Sequence, residues 1–203
     1  MPLRFYIGVV LLLTFILSWL FVVKVNFKKK IIYGLFLFLV FGFLLKFLGY
    51  GFFGVNLYKT FLTPEYISFY RQVAYQEGIS TLGVQISFEN PIVFLKGFSV
   101  SFINAFLGPL PWQMKQTQHF LAIGEIIILY LFLIFILKGA INAIKYYRYS
   151  LPLLIFSISL LIVIAIVSDN LGTTTRLRMP AFIALFCLIP LSFKNIKKTW
   201  QSI

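Results

Sequence analysis

Acidic residues are scarce in this chain. There are five, against 18 lysines and arginines, and charged residues make up only 11% of the total. A soluble domain carries about a quarter charged residues, so this sequence cannot clothe a water-facing surface. Cysteine is nearly absent. Cys187 stands alone in an apolar stretch, which excludes an internal disulfide and any cysteine-based metal motif. Histidine is limited to His119, with no second histidine or carboxylate at ligand spacing. No metal site and no cofactor are therefore expected. Glycine-rich phosphate loops, heptads, internal repeats and low-complexity tracts are missing. The first apolar stretch also lacks a basic cluster ahead of it, with only Arg4, and a small-residue cleavage site after it. It reads as a retained helix, not a removed signal.

What is present is apolar. Hydrophobic residues reach 61% and mean hydropathy is +0.96. Runs such as 126–137 and 151–167 have no polar face, and helices apolar all round belong in lipid. The 25 phenylalanines and 11 tyrosines suit lipid-facing and interfacial positions. Five stretches are long enough to span, near 4–23, 31–50, 119–137, 150–168 and 179–194. The last is short and carries Pro190. The expected fold is all-α: a single polytopic transmembrane helix bundle over 1–203, of about five spans.

The net charge of +13 would suit nucleic acid, but its placement argues for membrane lipids as partner and against nucleic acid. With the amino terminus outside, the inner side collects Lys24, Lys28, Lys29, Lys30, Lys138, Lys145, Arg148, Lys194, Lys197 and Lys198, with no acidic residue. That distribution follows the positive-inside bias. The outer side then receives Glu65, Glu77, Glu89, Glu125 and Asp169. The expectation is a multi-pass protein of the bacterial cytoplasmic membrane with a cytoplasmic carboxyl terminus.

One long stretch, 51–118, lies between the second and third spans. Its aromatic and aliphatic content argues against disorder, and loops of this length are commonly functional. Thr63 followed by Pro64 and Glu65 predicts a capped amphipathic helix over 64–75. Gly97, Ser101, Asn104 and Gly108 share one small, polar helical face within Pro91–Leu107 and just after it. A full span there would invert every later basic loop, so an interfacial or re-entrant helix is expected. It should end at 108–111, where two prolines cannot continue it.

Few residues offer chemistry. Positions 169–180 read as a tight polar loop containing Asn170, Arg176 and Arg178. Guanidinium groups take phosphate and pyrophosphate in bidentate fashion. The competing role is anchoring, through Asp169 and lipid phosphates. Glu125 lies within the third span, where a carboxylate is either functional or the partner of Arg71, Arg176 or Arg178. His119 and Glu77 are further candidate bases, against plain interfacial anchoring. Arg71 reads either as a second cation at the same cleft or as an exposed charge. Trp112 reads as a head-group anchor.

Three pieces resemble a known family. They are Tyr70-Arg71 with Glu77-Gly78 and Gly83; Leu107-Gly108-Pro109-Leu110-Pro111-Trp112 with Glu125; and Asn170-Leu171-Gly172 running to Arg176-Leu177-Arg178-Met179-Pro180. Over 64–191 the chain resembles O-antigen or exopolysaccharide polymerase-like polytopic membrane proteins of bacteria. The resemblance implies envelope polysaccharide assembly, with a lipid-linked oligosaccharide as substrate and other assembly proteins as partners. Arg71, Trp112, Asn170, Arg176 and Arg178 would bind the substrate, and Glu125, His119 or Glu77 would deprotonate an acceptor hydroxyl. The enzyme would be a glycosyltransferase or polymerase. The open alternative is a non-enzymatic membrane scaffold, export-complex subunit or immunity protein.

Overall fold

The computed structural model describes residues 2–22, 32–36, 39–40, 63–77, 83–84, 86–110, 113 and 123–193. Most of the expected span at 31–50 lies outside the described residues, as do Trp112, His119 and the lysines at 24–30 and 194–198. The described chain is all-α, with no strand among its elements. The helices are α1 (Pro2–Val22), α2 (Pro64–Glu77), α3 (Pro91–Leu107), α4 (Ile123–Lys145), α5 (Leu151–Val167), α6 (Leu171–Phe186) and the short α7 (Pro190–Phe193).

Among the described residues, three segments, Ile123–Lys145, Arg148–Val167 and Leu171–Phe193, are long and apolar enough to cross a membrane, and two shorter apolar helices, Ile7–Val22 and Pro91–Leu107, accompany them. This is an integral membrane protein. In lipid, helices gain little from hiding apolar surface, so close packing and polar contacts must hold the bundle.

Helix α5 is the hub. It packs against α1, α3 and α6, and touches α2 at its end. Leu154, Ser157, Leu160, Leu161, Ile164, Ala165 and Val167 are buried along it. The fully buried Ser157 hydroxyl lies 2.8 Å from its own helix at Leu153 O and 3.0 Å from Ala181 O on α6. A hydroxyl in lipid with no partner would be costly, so this contact helps fix α5 against α6.

Helices α4 and α6 run in the same direction. Glu125 meets Arg178 at one end, and Asn142 Nδ2 donates to Leu191 O, 2.9 Å away, at the other. Helix α5 runs in the opposite sense, joined to α6 by the short 168–170 turn. Helix α3 is parallel to α6. Ser101 lies beside Arg71 near the end of α5, while Phe106, further along, packs edge-on against Phe182 of α6.

Two helix boundaries differ from the sequence expectation. Helix α4 continues past 137 to Lys145, so Lys138 and Lys145 are exposed on a helix and not in a loop. Gly139 does not stop it, because the glycine serves close approach: an added Cβ would collide with the backbone carbonyl of Leu188. Helix α6 begins at Leu171, and 169–180 is not a loop. Asn170 is its N-cap, with Oδ1 accepting from Gly172 N at 2.9 Å and Thr173 N at 3.2 Å. Leu171, Thr174, Arg178, Ala181 and Leu185 then form one buried stripe, and that packing overrides the weak helix propensity of the threonines.

The same helix breaks after Phe186. Pro190 has no N–H to offer the Phe186 carbonyl. The chain tightens to three-residue bonds, with Ile189 N donating to Phe186 O at 3.0 Å and Leu191 N to Leu188 O at 3.1 Å. Gly139 and Asn142 of α4 receive this turn.

Replacing Gly139 by alanine should therefore destabilise the purified protein by about 1–3 kcal/mol, the usual range for overpacking. Gly124→Ala, at a position open to at least 4 Å, should be neutral or slightly stabilising. Melting in the same detergent compares the two; equal melting temperatures would contradict the close contact at Leu188.

Candidate functional site: two buried arginines at helix ends

An apolar helix ends with carbonyls that its own turns cannot satisfy. In this bundle two such ends, those of α5 and α3, are each met by an arginine from another helix.

Arg71 projects from α2, a helix started as the sequence predicts by Thr63, whose hydroxyl accepts from Tyr66 N at 3.3 Å. The side chain is buried. Nη1 faces the last carbonyls of α5: Ala165 O at 3.0 Å, Ile166 O at 3.0 Å and Ser168 O at 3.3 Å. Nη2 donates to Val84 O at 2.9 Å and to Asp169 Oδ1 at 3.0 Å, with Ser101 Oγ at 3.4 Å. A cation at a helix C-terminus is favoured by the helix dipole as well as by these bonds.

Asp169 completes the cluster. Burial pushes its carboxyl above the ordinary value, against the pull of Arg71 and of hydrogen bonds from the Val84 and Gly83 backbone N–H groups. Burial likewise lowers Arg71 from its usual value, with Asp169 opposing. Gly83 sits at φ 66°, the left-handed region that glycine enters without strain. It thereby presents its N–H to Asp169.

Arg178 is fully buried on α6. Its Nε donates to Glu125 Oε1 at 3.0 Å. Its Nη1 reaches Ala105 O at 3.4 Å and also Gly108 O, which closes the end of α3. Its Cζ stands 4.8 Å from the centroid of the Phe182 ring, a cation–π contact. Tyr130 OH adds a bond to Leu107 O at 2.8 Å, and Gly108 N returns to Asn104 O at 2.9 Å. The freed carbonyls at 104, 105, 107 and 108 thus all have donors. Arg178 is seven residues beyond the start of α6, or about 10 Å along the helix axis. Helix α3 therefore ends inside the bundle. Its buried side carries Gly97, Ser101, Asn104 and Ala105.

The structure separates the sequence-predicted residues. Arg71 and Asp169 form one cluster, Glu125 and Arg178 the other. Asn170 is a helix cap. Arg176 and Arg178 do not converge: two residues apart on a helix they point about 200° apart, and Arg176 is exposed. Glu77 ends α2, and its side chain lies outside the described residues, as do Trp112 and His119. No group of three or more histidine, cysteine or acidic side chains is gathered for a metal among the described residues. Asn104 lies on the small, polar face expected from the sequence, whereas Tyr130 and Phe182 were not singled out there. The helical stripe from Leu171 through Arg178 to Phe182 was the signal available for the last.

No family model, curated protein or solved structure matches this chain.

Removing one member of the Arg178–Glu125 pair leaves a buried charge or buried carbonyls unpaired. Arg178→Met or Glu125→Leu alone should cost about 3–5 kcal/mol. The double variant should be clearly less harmful than the sum. Denaturation of the four proteins in one detergent measures this; strict additivity would show that the pair is not coupled. Arg71→Met should release α2, accelerating proteolysis within 63–77 by about tenfold or more while the spans stay intact. Unchanged cleavage would mean that α2 is held by other contacts.

Proposed function

We propose that this membrane protein serves envelope polysaccharide assembly at the outer face of the bacterial cytoplasmic membrane, with its amino terminus outside and its carboxyl terminus cytoplasmic. The observation that carries the reading is that Arg178 joins the second and third of the segments that resemble polysaccharide polymerases, through Gly108 and Glu125, while Arg71 of the first bonds Val84 and Asp169, next to the Gly83 and Asn170 of those segments.

In this reading Arg71, Arg178 and Asn170 are positioning residues. They set the α3 break and the start of α6. Arg176, exposed on α6, is the one of the three candidate arginines left to meet a lipid-linked pyrophosphate. Transfer would join an acceptor hydroxyl oxygen to the anomeric carbon of the donor sugar and break that carbon's bond to the pyrophosphate oxygen. The hydroxyl proton would pass to a carboxylate or imidazole, with Glu125, Glu77 and His119 as candidates. Trp112 would contribute to substrate binding.

A second reading has its own support. Glu125 and Arg178 form an ion pair within the bundle, as structural pairs do, and this favours a non-enzymatic scaffold, export-complex subunit or immunity protein.

Arg176→Ala separates the two. The variant should reach wild-type levels in the membrane, because the side chain is exposed, while surface polysaccharide shortens or disappears on gels. Wild-type polysaccharide at equal protein level would contradict the proposed role of Arg176. Reporter fusions at residues 85, 144 and 200 test the orientation; an outward-facing fusion at 200 would contradict it.

A further inference from the structure

The α3 break contains two polar atoms that its hydrogen bonds leave over. Arg178 commits Nε to Glu125 and Nη1 to Ala105 and Gly108, and its buried Nη2 has no partner among the described residues. Asn104, 3% exposed, fixes its amide by donating Nδ2 to Val100 O at 2.8 Å. That orientation leaves the buried Oδ1 without a donor. Both groups border Gly108. Nη1 of the same guanidinium holds the Gly108 carbonyl, and Asn104 Oδ1 lies 3.2 Å from where a Gly108 Cβ would stand.

One leftover atom is a donor and the other an acceptor, which selects the ligand chemistry. Leaving both unsatisfied in an apolar bundle would be costly. An anion does not fit, because Glu125 at 3.0 Å already balances Arg178, and a further negative charge would be buried without compensation. A cation would face the guanidinium. A hydroxyl both accepts and donates and carries no charge. We infer that the break after α3 is a binding site for one neutral hydroxyl, which accepts from Arg178 Nη2 and donates to Asn104 Oδ1. The Glu125 side chain, bonded to Nε of the same guanidinium, is partly exposed, at 19%. This inference does not rest on the polysaccharide reading, and it assigns Arg178 to a hydroxyl where the sequence suggested pyrophosphate.

The source of the hydroxyl is either water or an alcohol such as a sugar. An experimental structure of the full chain in lipid nanodiscs, at a resolution that shows ordered water, tests the site. A single oxygen within hydrogen-bond distance of both atoms is expected. No peak, a phosphate or ion, or a direct Arg178–Asn104 bond would overturn the inference. Methyl glucoside then separates the sources. A sugar hydroxyl predicts a rise in melting temperature of about 3 °C at saturation that is lost in Asn104→Leu. No rise, with the oxygen still present, assigns the hydroxyl to water.

Discussion

A helix that ends in an apolar surrounding exposes carbonyls that water cannot reach, and the rest of this bundle depends on how two such ends are closed. Arg71 closes α5 and Arg178 closes α3. A guanidinium suits this task because its five N–H groups fan out in a plane and stay charged. One side chain can therefore serve several carbonyls, a carboxylate and a helix dipole together. The cost is a buried positive charge, which Asp169 offsets in one cluster and Glu125 in the other.

Each cluster also ties together helices that lipid would not drive together. Arg71 links α2, the 83–84 segment, α3 and α5. Arg178 links α3, α4 and α6. Helix α3 belongs to both groups, and so its length, direction and end are set by arginines on other elements. A helix that stops inside a membrane bundle is tolerated where its backbone is buried in protein. Here the Gly108 end is enclosed by Arg178, Tyr130 and its own Asn104.

Much of this was legible in the sequence, for reasons that can be named. Apolar runs without a polar face marked α4 and α5. Thr63-Pro64-Glu65 marked the start of α2, because capping chemistry is local. The small face of α3 at Gly97, Ser101 and Asn104 followed from helical spacing alone. The start of α6 was not legible. The Thr173–Arg178 stretch is polar, and it is held as helix by the Asn170 cap together with contacts of Thr174 to Ser168 and of Arg178 to Glu125. The arginine partners were half legible. A structural pairing of Glu125 with one of the arginines was foreseeable. Sequence spacing could not choose among Arg71, Arg176 and Arg178, and Asp169 went to Arg71, 98 positions away. The 200° divergence of Arg176 and Arg178 was hidden while that stretch read as a loop. Once it is a helix, one arginine must enter the bundle and the other must leave it.

Both arginines touch an alanine carbonyl, which gives a direct test of this end-closing arrangement. Label the full chain in lipid with 15N in the arginine guanidinium nitrogens and 13C in the alanine carbonyls, and measure dipolar dephasing by solid-state NMR. Nη1 of Arg71 to Ala165 O at 3.0 Å and Nη1 of Arg178 to Ala105 O at 3.4 Å place each nitrogen about 4 Å from a labelled carbon. Two close pairs are expected, one lost in Arg71→Met and the other in Arg178→Met. Absence of dephasing in the wild-type protein would contradict the claim that these two guanidinium groups close the helix ends.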